Sequence, residues 1–423
     1  MDIVEDKIDC LRITKSRLEG SIKVSGAKNS VLKLQTASIL TDEDVHILNY
    51  PSTLLDAKIH EKMLCAIGKE CTVEGGTLLV KENKMLTTSL EWSGRSIRNA
   101  LLILGALVTR FGEGKVPLPG GCKLGERKYD LHIMLLERLG AKVWEDDQYL
   151  YATSRSEKLK GAEIHLPIRS TGATENAIIA GSLAEGTTII WNPHIRPEII
   201  DLISMLCEMG AKISVFGQEK IEITGVERLH GTTYSTIPDN MEAMTYLVAT
   251  AVTKGEVEIV DFPTHHLEVP LAFLRESGAK IYQCKNSVII KNCTPYPLSI
   301  STGPYPGINS DMQPILAMYG LAAKGSSQIV DLRFAGRYGY MSELNKMGAQ
   351  SSVRNNTLYI EGGFRLTGTS VTAVDLRAGA ALMIAGMIAD DETVISNAWQ
   401  IERGYDQIIK KLQCLGCNLS VES

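Results

Sequence analysis

Six times along this chain a mostly apolar residue, a glycine and a small or polar pair are followed by an alternating run. The copies are Ile67-Gly-Lys-Glu, Leu139-Gly-Ala-Lys-Val, Met209-Gly-Ala-Lys-Ile, Ser277-Gly-Ala-Lys-Ile, Met347-Gly-Ala-Gln and Leu415-Gly-Cys-Asn-Leu. Their glycines, at 68, 140, 210, 278, 348 and 416, stand 68 to 72 residues apart. A period that regular marks six copies of one supersecondary unit. Each glycine reads as a helix C-cap, where a left-handed backbone is needed, and the alternation after it reads as a strand.

Most copies carry a second helix of small residues, over 170–183, 239–253, 311–323 and 375–389. Helices this rich in Ala and Gly pack closely on every side, which predicts internal helices surrounded by sheet. Strand runs such as Thr187-Thr-Ile-Ile and Val257-Glu-Ile-Val follow them. The unit is thus two helices with three or four strands. Six units in 423 residues exceed one ordinary core and suit an α/β (α+β) chain of two domains with three repeats each. The expected boundaries put residues 28–237 in the first domain and residues 1–27 with 238–423 in the second. One crossing falls at Thr236-Ile-Pro-Asp239, where a proline precedes a helix start, and the other at Gly26-Ala-Lys-Asn29. The second domain is discontinuous if a strand within 11–24 completes the sixth unit.

Composition removes several classes of function. With 22% charged and 44% apolar residues the chain is globular in type, and its net charge of -5 supplies no basic field for nucleic acid. An anionic ligand would have to be met by local cations. The longest strongly apolar stretch, 100–108, is far short of the roughly 20 residues that cross a bilayer. The acidic opening Met1-Asp-Ile-Val-Glu-Asp-Lys lacks the pattern of a secretion signal, so a cytoplasmic protein with no membrane partner is expected. Nine scattered cysteines then argue for reduced thiols, most of them small core residues. Cys414 and Cys417 form a C-x-x-C, but a lone pair without a second ligand pair predicts no metal or redox site.

The chain has no Walker A pattern, no H-E-x-x-H and no G-x-S-x-G turn. Of its histidines only His132 lies near a candidate loop, and His265-His266 falls in an ordinary connection. That loop, Pro117-Leu-Pro-Gly-Gly-Cys122-Lys-Leu-Gly-Glu-Arg127-Lys-Tyr-Asp130, surrounds one cysteine with prolines, glycines and cations and reads as a mobile lid. A thiol beside Lys123 and Arg127 has a lowered pKa, which suits a proton donor or nucleophile near neutral pH; an incidental loop cysteine is the plainer alternative. Further cations stand at the heads of the small-residue helices, Lys28, Arg98 and Arg377, with Arg337 and Arg403 in comparable turns. If the inner helices run parallel, their N-termini and these cations make an anion site; singly, each cation reads as a solvated surface charge. Asp239, Asp311 and Asp375 start equivalent helices, where N-capping accounts for all three. Helix position alone picks out no catalytic base.

Taken in order over nearly the whole chain, Gly26-Ala-Lys-Asn29, Pro119-Gly-Gly-Cys122, Asp130-Leu-His132, Gly172-Ala-Thr-Glu-Asn176, Asp375-Leu-Arg377 and Glu402-Arg-Gly-Tyr405 resemble the UDP-N-acetylglucosamine 1-carboxyvinyltransferase family. Those enolpyruvyl transferases begin peptidoglycan precursor synthesis. The lid cysteine and the Lys-Asn pair separate the pattern from the shikimate-phosphate enolpyruvyl transferases of similar fold. The resemblance implies two inside-out α/β barrel-like domains of three repeats, with the active site in the cleft between them and closing, lid included, over the substrates. It implies that Lys28 and Asn29 touch phosphoenolpyruvate and the acceptor hydroxyl, and that Arg127, Arg377 and Arg403 hold the donor's phosphate and carboxylate. Cys122 would be the general acid at the tetrahedral ketal and Asp311 would take the acceptor's proton. Arg98, Arg127, Lys128, Tyr129, Asp130, Leu131, Ser170, Thr171, Gly172, Asp311 and Arg333 would meet the acceptor nucleotide, with Arg337 and Asp375 in support. Phosphoenolpyruvate is a substrate, and no metal or cofactor is called for. A water-poor cleft lined by cations and one carboxylate would hold the anionic substrates and an oxocarbenium-like state.

The departures from that family cluster on the acceptor side. Lys128 stands for a usual proline, Ile195-Arg196 for a basic-acidic pair, Asn240 for arginine, and Ile308-Asn-Ser310 for Phe-Pro-Thr. Phe334-Ala-Gly-Arg337-Tyr replaces Phe-Glu-Asn-Arg-Phe, and Arg333 stands where a small apolar residue meets the N-acetyl group. A long cation there changes what fits. Two acceptors are therefore carried: UDP-N-acetylglucosamine, favoured by the whole-chain match, and a smaller uridine nucleotide such as UMP, taken at its 3'-hydroxyl in nucleoside antibiotic biosynthesis. A non-catalytic nucleotide-binding paralogue would have lost Lys28, Cys122, Asp311 or Arg403, and all four are present.

Overall fold

A computed structural model describes residues 8–95, 97–119 and 129–422. Cys122, Lys123, Arg127 and Lys128 of the expected lid lie outside the described residues. All six repeat glycines have positive φ: 107° at Gly68, 94° at Gly140, 104° at Gly210, 90° at Gly278, 95° at Gly348 and 86° at Gly416. Each ends an outer helix and turns the chain into a hairpin, as a residue without Cβ does at least strain.

The chain divides into two compact units, Gly26–Ile237 and the residues up to Ser25 joined with those from Pro238 onward. Each has its own hydrophobic core. In the Gly26–Ile237 unit the inner helices are Lys28–Ala37, Ala100–Phe111 and Thr171–Gly181, and the outer ones Leu55–Ala66, Asp130–Arg138 and Pro197–Glu208. In the other unit the inner helices are Asn240–Val252, Gln313–Ala322 and Leu376–Ile388. Burial is complete in the first of these: all 13 residues of Asn240–Val252 are buried, Tyr246 and two methionines among them. The hydroxyls of Thr245 and Thr250 are satisfied by donating to the carbonyls of Met241 and Tyr246 one turn back, both at 2.8 Å. Helix approach is equally tight at Gly105, where a Cβ would lie 1.8 Å from Asn176 Oδ1.

Among the described residues five of the six sheets take one strand from the repeat before them, while the sheet of the second repeat has three strands, Glu113–Pro117, Tyr149–Ser154 and Ala141–Glu145, and gains only a bridge from Ser89 to Lys115. In the first repeat the order is Thr232–Ser235, Val45–Leu48, Thr77–Lys81, Glu70–Glu74, with Thr232–Ser235 parallel to Val45–Leu48. The last strand of the third repeat thereby closes the unit onto its first. The third sheet repeats the pattern, with Glu163–His165 parallel to Thr187–Trp191. In the other unit Glu19–Lys23 pairs parallel with Glu256–Val260, and Ser299–Ser301 with Gly325–Val330. The stretch 11–24, read from sequence as one completing strand, is two. Cys10–Ile13 lies antiparallel between Thr393–Ser396 and Leu419–Glu422, where it supplies the missing hairpin strand of the sixth repeat. Glu19–Lys23 serves the fourth repeat instead.

The cysteines correct the expectation that most are core residues. Among those described, only Cys293 and Cys417 are buried, whereas Cys65, Cys207, Cys284 and Cys414 are exposed. Three of the exposed four sit in the last turn of an outer helix just before a capping glycine, a turn that faces solvent. Among the described residues no helix is long and apolar enough to cross a membrane.

Candidate active site

In the Gly26–Ile237 unit, Lys28 is the first residue of its helix, whose head is tied down by the Ala27 N–H donating to Ile237 O at 2.8 Å. Its Nζ lies 2.8 Å from Asp56 Oδ2, with both side chains nearly buried. A cation at a helix N-terminus opposes the helix dipole, and the Asp56 carboxylate offsets that penalty. Asp56, in the first turn of the outer helix, was not found from sequence; no motif links residues 28 and 56. Asn29 beside Lys28 is half-buried.

Arg98 precedes the Ala100–Phe111 helix and acts on His132. Burial first, and then the Arg98 charge, push that imidazole down to about 3, so it is neutral. His132 Nδ1 is 3.1 Å from Asn176 Nδ2, which makes Nδ1 the acceptor. Its Nε2 would lie 3.0 Å from a Cβ on Gly172, so a side chain there would press on the imidazole. Arg98, His132 and the head of the Thr171–Gly181 helix are thereby brought together. At that head Ser170 Oγ accepts from Ala173 N at 3.4 Å, and Thr171 Oγ1 is 2.7 Å from His194 Nδ1. Tyr129 hydrogen-bonds Glu145, and Asp130 and Leu131 line a recess shared with Glu163, His165 and Pro167.

A buried charge cluster that no site assignment from sequence included lies on the same unit. Lys33 Nζ is 3.7 Å from Glu175 Oε1, and Arg196 grips Glu198 through two bonds of 2.6 and 2.7 Å. Ser30 bonds to Asp201, which also accepts from Tyr234 Oη at 2.7 Å. Burial pushes Glu175 up to about 7 against the pull of Lys33 and Arg196, and Asp201 up to about 6. The sequence signals were Glu175, inside the Gly172–Asn176 run, and Arg196, one of the departures noted above.

In the other unit the three helix-starting aspartates part company. Asp239 Oδ1 accepts the N–H groups of Met241 and Glu242, and Asp375 Oδ1 those of Arg377 and Ala378, so both are N-caps. Asp311 sits instead in a 3₁₀ turn, Ser310–Met312, whose cap is Asn309, accepting the Asp311 N–H at 3.1 Å. Its carboxylate faces arginines: Arg337 Nη1 at 2.8 Å and Arg377 Nε at 4.0 Å, with 29% of the side chain exposed. Arg337 Nη1 also donates to Ser310 Oγ at 3.0 Å, and Ser310 donates to Asp331 Oδ2 at 2.6 Å. Asn309 and Ser310, two of the departures, thus position Asp311.

Arg377 is 1% exposed, lies 5.1 Å from the Tyr405 ring centroid, and leaves Nε and Nη1 without a hydrogen-bond partner among the described residues. Gly404 packs against it: a Cβ there would meet Leu376 Cδ1 at 2.5 Å and Arg377 Nη1 at 3.5 Å. The adjoining Arg403 donates to Gln400 Oε1 at 3.1 Å. Arg333 is exposed, with its guanidinium 5.6 Å from the Phe334 ring and its backbone N–H on Asp331 at 2.9 Å. A buried guanidinium with unspent donors can take an anion, and the partly exposed carboxylate beside it can accept a proton from a bound hydroxyl. Among the described residues no group of three or more His, Cys, Asp and Glu side chains is placed to hold a metal ion.

The sequence matches the EPSP synthase (3-phosphoshikimate 1-carboxyvinyltransferase) family over residues 13–412. It is 44% identical over 411 residues to UDP-N-acetylglucosamine 1-carboxyvinyltransferase 1 of Carboxydothermus hydrogenoformans, covering 95% of each chain. To the UDP-N-acetylglucosamine 1-carboxyvinyltransferase of Pectobacterium carotovorum it is 39% identical over 406 residues, 96% of each. Among solved structures, the enolpyruvyl transferase NikO from Streptomyces tendae superposes with a TM-score of 0.88 at 25% identity, covering 98% of this chain and 99% of that one. An EPSP synthase from Acinetobacter baumannii, 17% identical and covering 98% of this chain and 100% of its own, shares the fold with a TM-score of 0.75.

Proposed function

The chain belongs to the EPSP synthase family of carboxyvinyltransferases, and from that premise we propose that it moves the enolpyruvyl group of phosphoenolpyruvate to a hydroxyl of UDP-N-acetylglucosamine. Protonation at C3 of the enol and addition of the hydroxyl to C2 give a tetrahedral ketal, which expels phosphate. The observation that carries this reading is Arg377, buried with two unspent donors beside the Asp311 carboxylate. In it Arg377 and Arg403 hold the donor's anionic groups, with Arg127 joining them by sequence alone. Asp311, freed from capping, takes the acceptor's proton, and Arg337 and Asp375 fix its surroundings. Lys28 and Asn29 bear on the donor and the hydroxyl, and Cys122 serves as general acid. Arg98, Tyr129, Asp130, Leu131, Ser170, Thr171 and Gly172 meet the nucleotide, with Lys128 assigned by sequence. The reaction is cytoplasmic and calls on no cofactor.

One observation favours a second acceptor, a smaller uridine nucleotide such as UMP. Arg333 presents an exposed guanidinium where the relatives' pattern has a small apolar side chain. A cation there crowds a sugar but suits a terminal phosphate. The deciding experiment supplies phosphoenolpyruvate with each acceptor in turn and measures phosphate release and product mass. Turnover with UDP-N-acetylglucosamine alone supports the first reading, and turnover with UMP alone replaces it by the second. No phosphate from any uridine compound would discard both and leave the non-catalytic alternative.

A further inference from the structure

Asp331, the residue after the Gly325–Val330 strand, belongs to no site assignment made from sequence, yet it is fully buried and its carboxylate accepts four hydrogen bonds. Three reach Oδ1, from the Thr302 hydroxyl at 3.0 Å and the backbone N–H groups of Arg333 at 2.9 Å and Phe334 at 3.0 Å. The fourth, from the Ser310 hydroxyl at 2.6 Å, reaches Oδ2. The residue is itself fixed by its backbone, its N–H donating to Tyr338 Oη at 2.8 Å and its carbonyl accepting from Asn356 Nδ2 at 2.9 Å. One oxygen therefore serves the segment that presents Arg333, and the other serves the turn that presents Asp311.

We propose, on the reading of Asp311 as base and Arg333 as an acceptor contact, that Asp331 is a positioning residue whose two oxygens hold the base and the acceptor contact in one geometry. Its link to Asp311 runs through a single proton. Because the Ser310 hydroxyl spends that proton on Asp331, its oxygen is left to accept from Arg337 Nη1 at 3.0 Å. The same Nη1 reaches Asp311 Oδ1 at 2.8 Å, so the guanidinium is held between the hydroxyl and the base. Its link to Arg333 is a turn of the backbone. Consecutive N–H groups converging on one carboxylate oxygen fix the direction in which residue 333 leaves the strand. Groups whose orientation is set beforehand lose least on reaching a productive geometry.

An amide separates the two sides. With three donors gathered on Oδ1, the oxygen of Asp331→Asn stays there and keeps the Arg333 segment, while its Nδ2 faces Ser310 and sets a second donor against Arg337. Phosphate release by the full-length protein, with phosphoenolpyruvate and the uridine acceptor that it turns over, is read as kcat and acceptor KM. Asp331→Asn should lower kcat about tenfold with acceptor KM held, and Asp331→Ala should lower kcat and also raise acceptor KM about tenfold. Ser310→Ala should match Asp331→Asn, and the double variant should be no slower than either, because both changes break one link. Ser310→Thr keeps the hydroxyl and should restore kcat. A parental kcat in Asp331→Asn, an acceptor KM unmoved in Asp331→Ala, or losses that multiply in the double variant would overturn the proposal. Should the Asp331 variants fold poorly, the Ser310 pair decides: full activity in Ser310→Ala, or no recovery with threonine, overturns it as well. No phosphate from the parent protein with any uridine compound discards the base reading first, and the role of Asp331 falls with it.

Discussion

Asp311 and its two repeat equivalents show how much a single carboxylate's surroundings decide. Asp239 and Asp375 are spent on backbone N–H groups, whereas Asp311 faces Arg337 and Arg377. Asp311→Asn should therefore lower kcat by about 10²- to 10⁴-fold, and should also lower the unfolding midpoint because the buried Arg337 loses its charge partner; an active variant would remove it as base. Lys28 carries a structural duty as well. Lys28→Ala removes the cation 2.8 Å from the nearly buried Asp56 carboxylate and should cost about 3 kcal/mol in denaturant unfolding, much of which returns when Asp56→Ala is added. Failure of the second change to rescue would mean that the pair is not what Lys28 stabilises. His60 and His132 are held by burial at about 3, below an ordinary 6.5. Their contribution is present above pH 6.5 and is lost as pH falls toward 3, because only the unfolded chain takes up their protons there. Glu175 and Asp201, raised to about 7 and about 6, have the opposite sign: their contribution is full below their unfolded values of 4.5 and 3.8 and is lost as pH rises through the raised ones. The two pairs nearly cancel between about pH 5 and 7. Relative to the parent, His60→Gln should gain about 1.4 kcal/mol for each pH unit below 6.5, down to about pH 4. Urea midpoints at pH 7, 6 and 5 read this directly, and a gap independent of pH would refute it.

At the scale of the element, the six glycines ask for the same backbone but stand in different surroundings. A Cβ at Gly140 meets nothing within 4 Å, while one at Gly278 would lie 2.6 Å from Thr294 O and 2.7 Å from the Tyr296 ring. Gly140→Ala should cost only the strain of a positive φ, about 1 kcal/mol, and Gly278→Ala distinctly more. Equal losses in thermal unfolding would show that backbone conformation alone sets the penalty. These turns were legible from sequence because a left-handed C-cap is a local demand that glycine answers. The inner helices were legible for a similar reason, since Thr171–Gly181 and Leu376–Ile388 are mostly Ala, Gly and apolar residues, and the second has no polar face to turn to solvent. Legibility stopped at the outer helices. Their last turns expose Cys65, Cys207 and Cys414, and a cysteine's type says little about which way its turn faces.

For the whole molecule, the two separate cores make the units unequal in how they can be cut. The Gly26–Ile237 unit contains every strand of its own sheets, so residues 26–237 made alone should unfold cooperatively. Residues 238–423 alone lack Cys10–Ile13, an interior strand with a neighbour on each side, and should fail to fold until residues 8–25 are appended after 423. Circular dichroism and thermal melts of the three fragments test this, and a stable 238–423 fragment would sink it. The sequence by itself determined the repeat, its capping glycines, its buried helices and the polar residues at their heads. Each of these is a local requirement of backbone conformation or side-chain size, written into consecutive residues. The tertiary structure decided which charges meet. Lys28 finds Asp56, Lys33 finds Glu175, and Arg377 and Arg337 converge on Asp311 across dozens of residues. Such pairings depend on how helices are brought together, and an aspartate at the start of a helix does not carry in its own neighbours which cations it will meet.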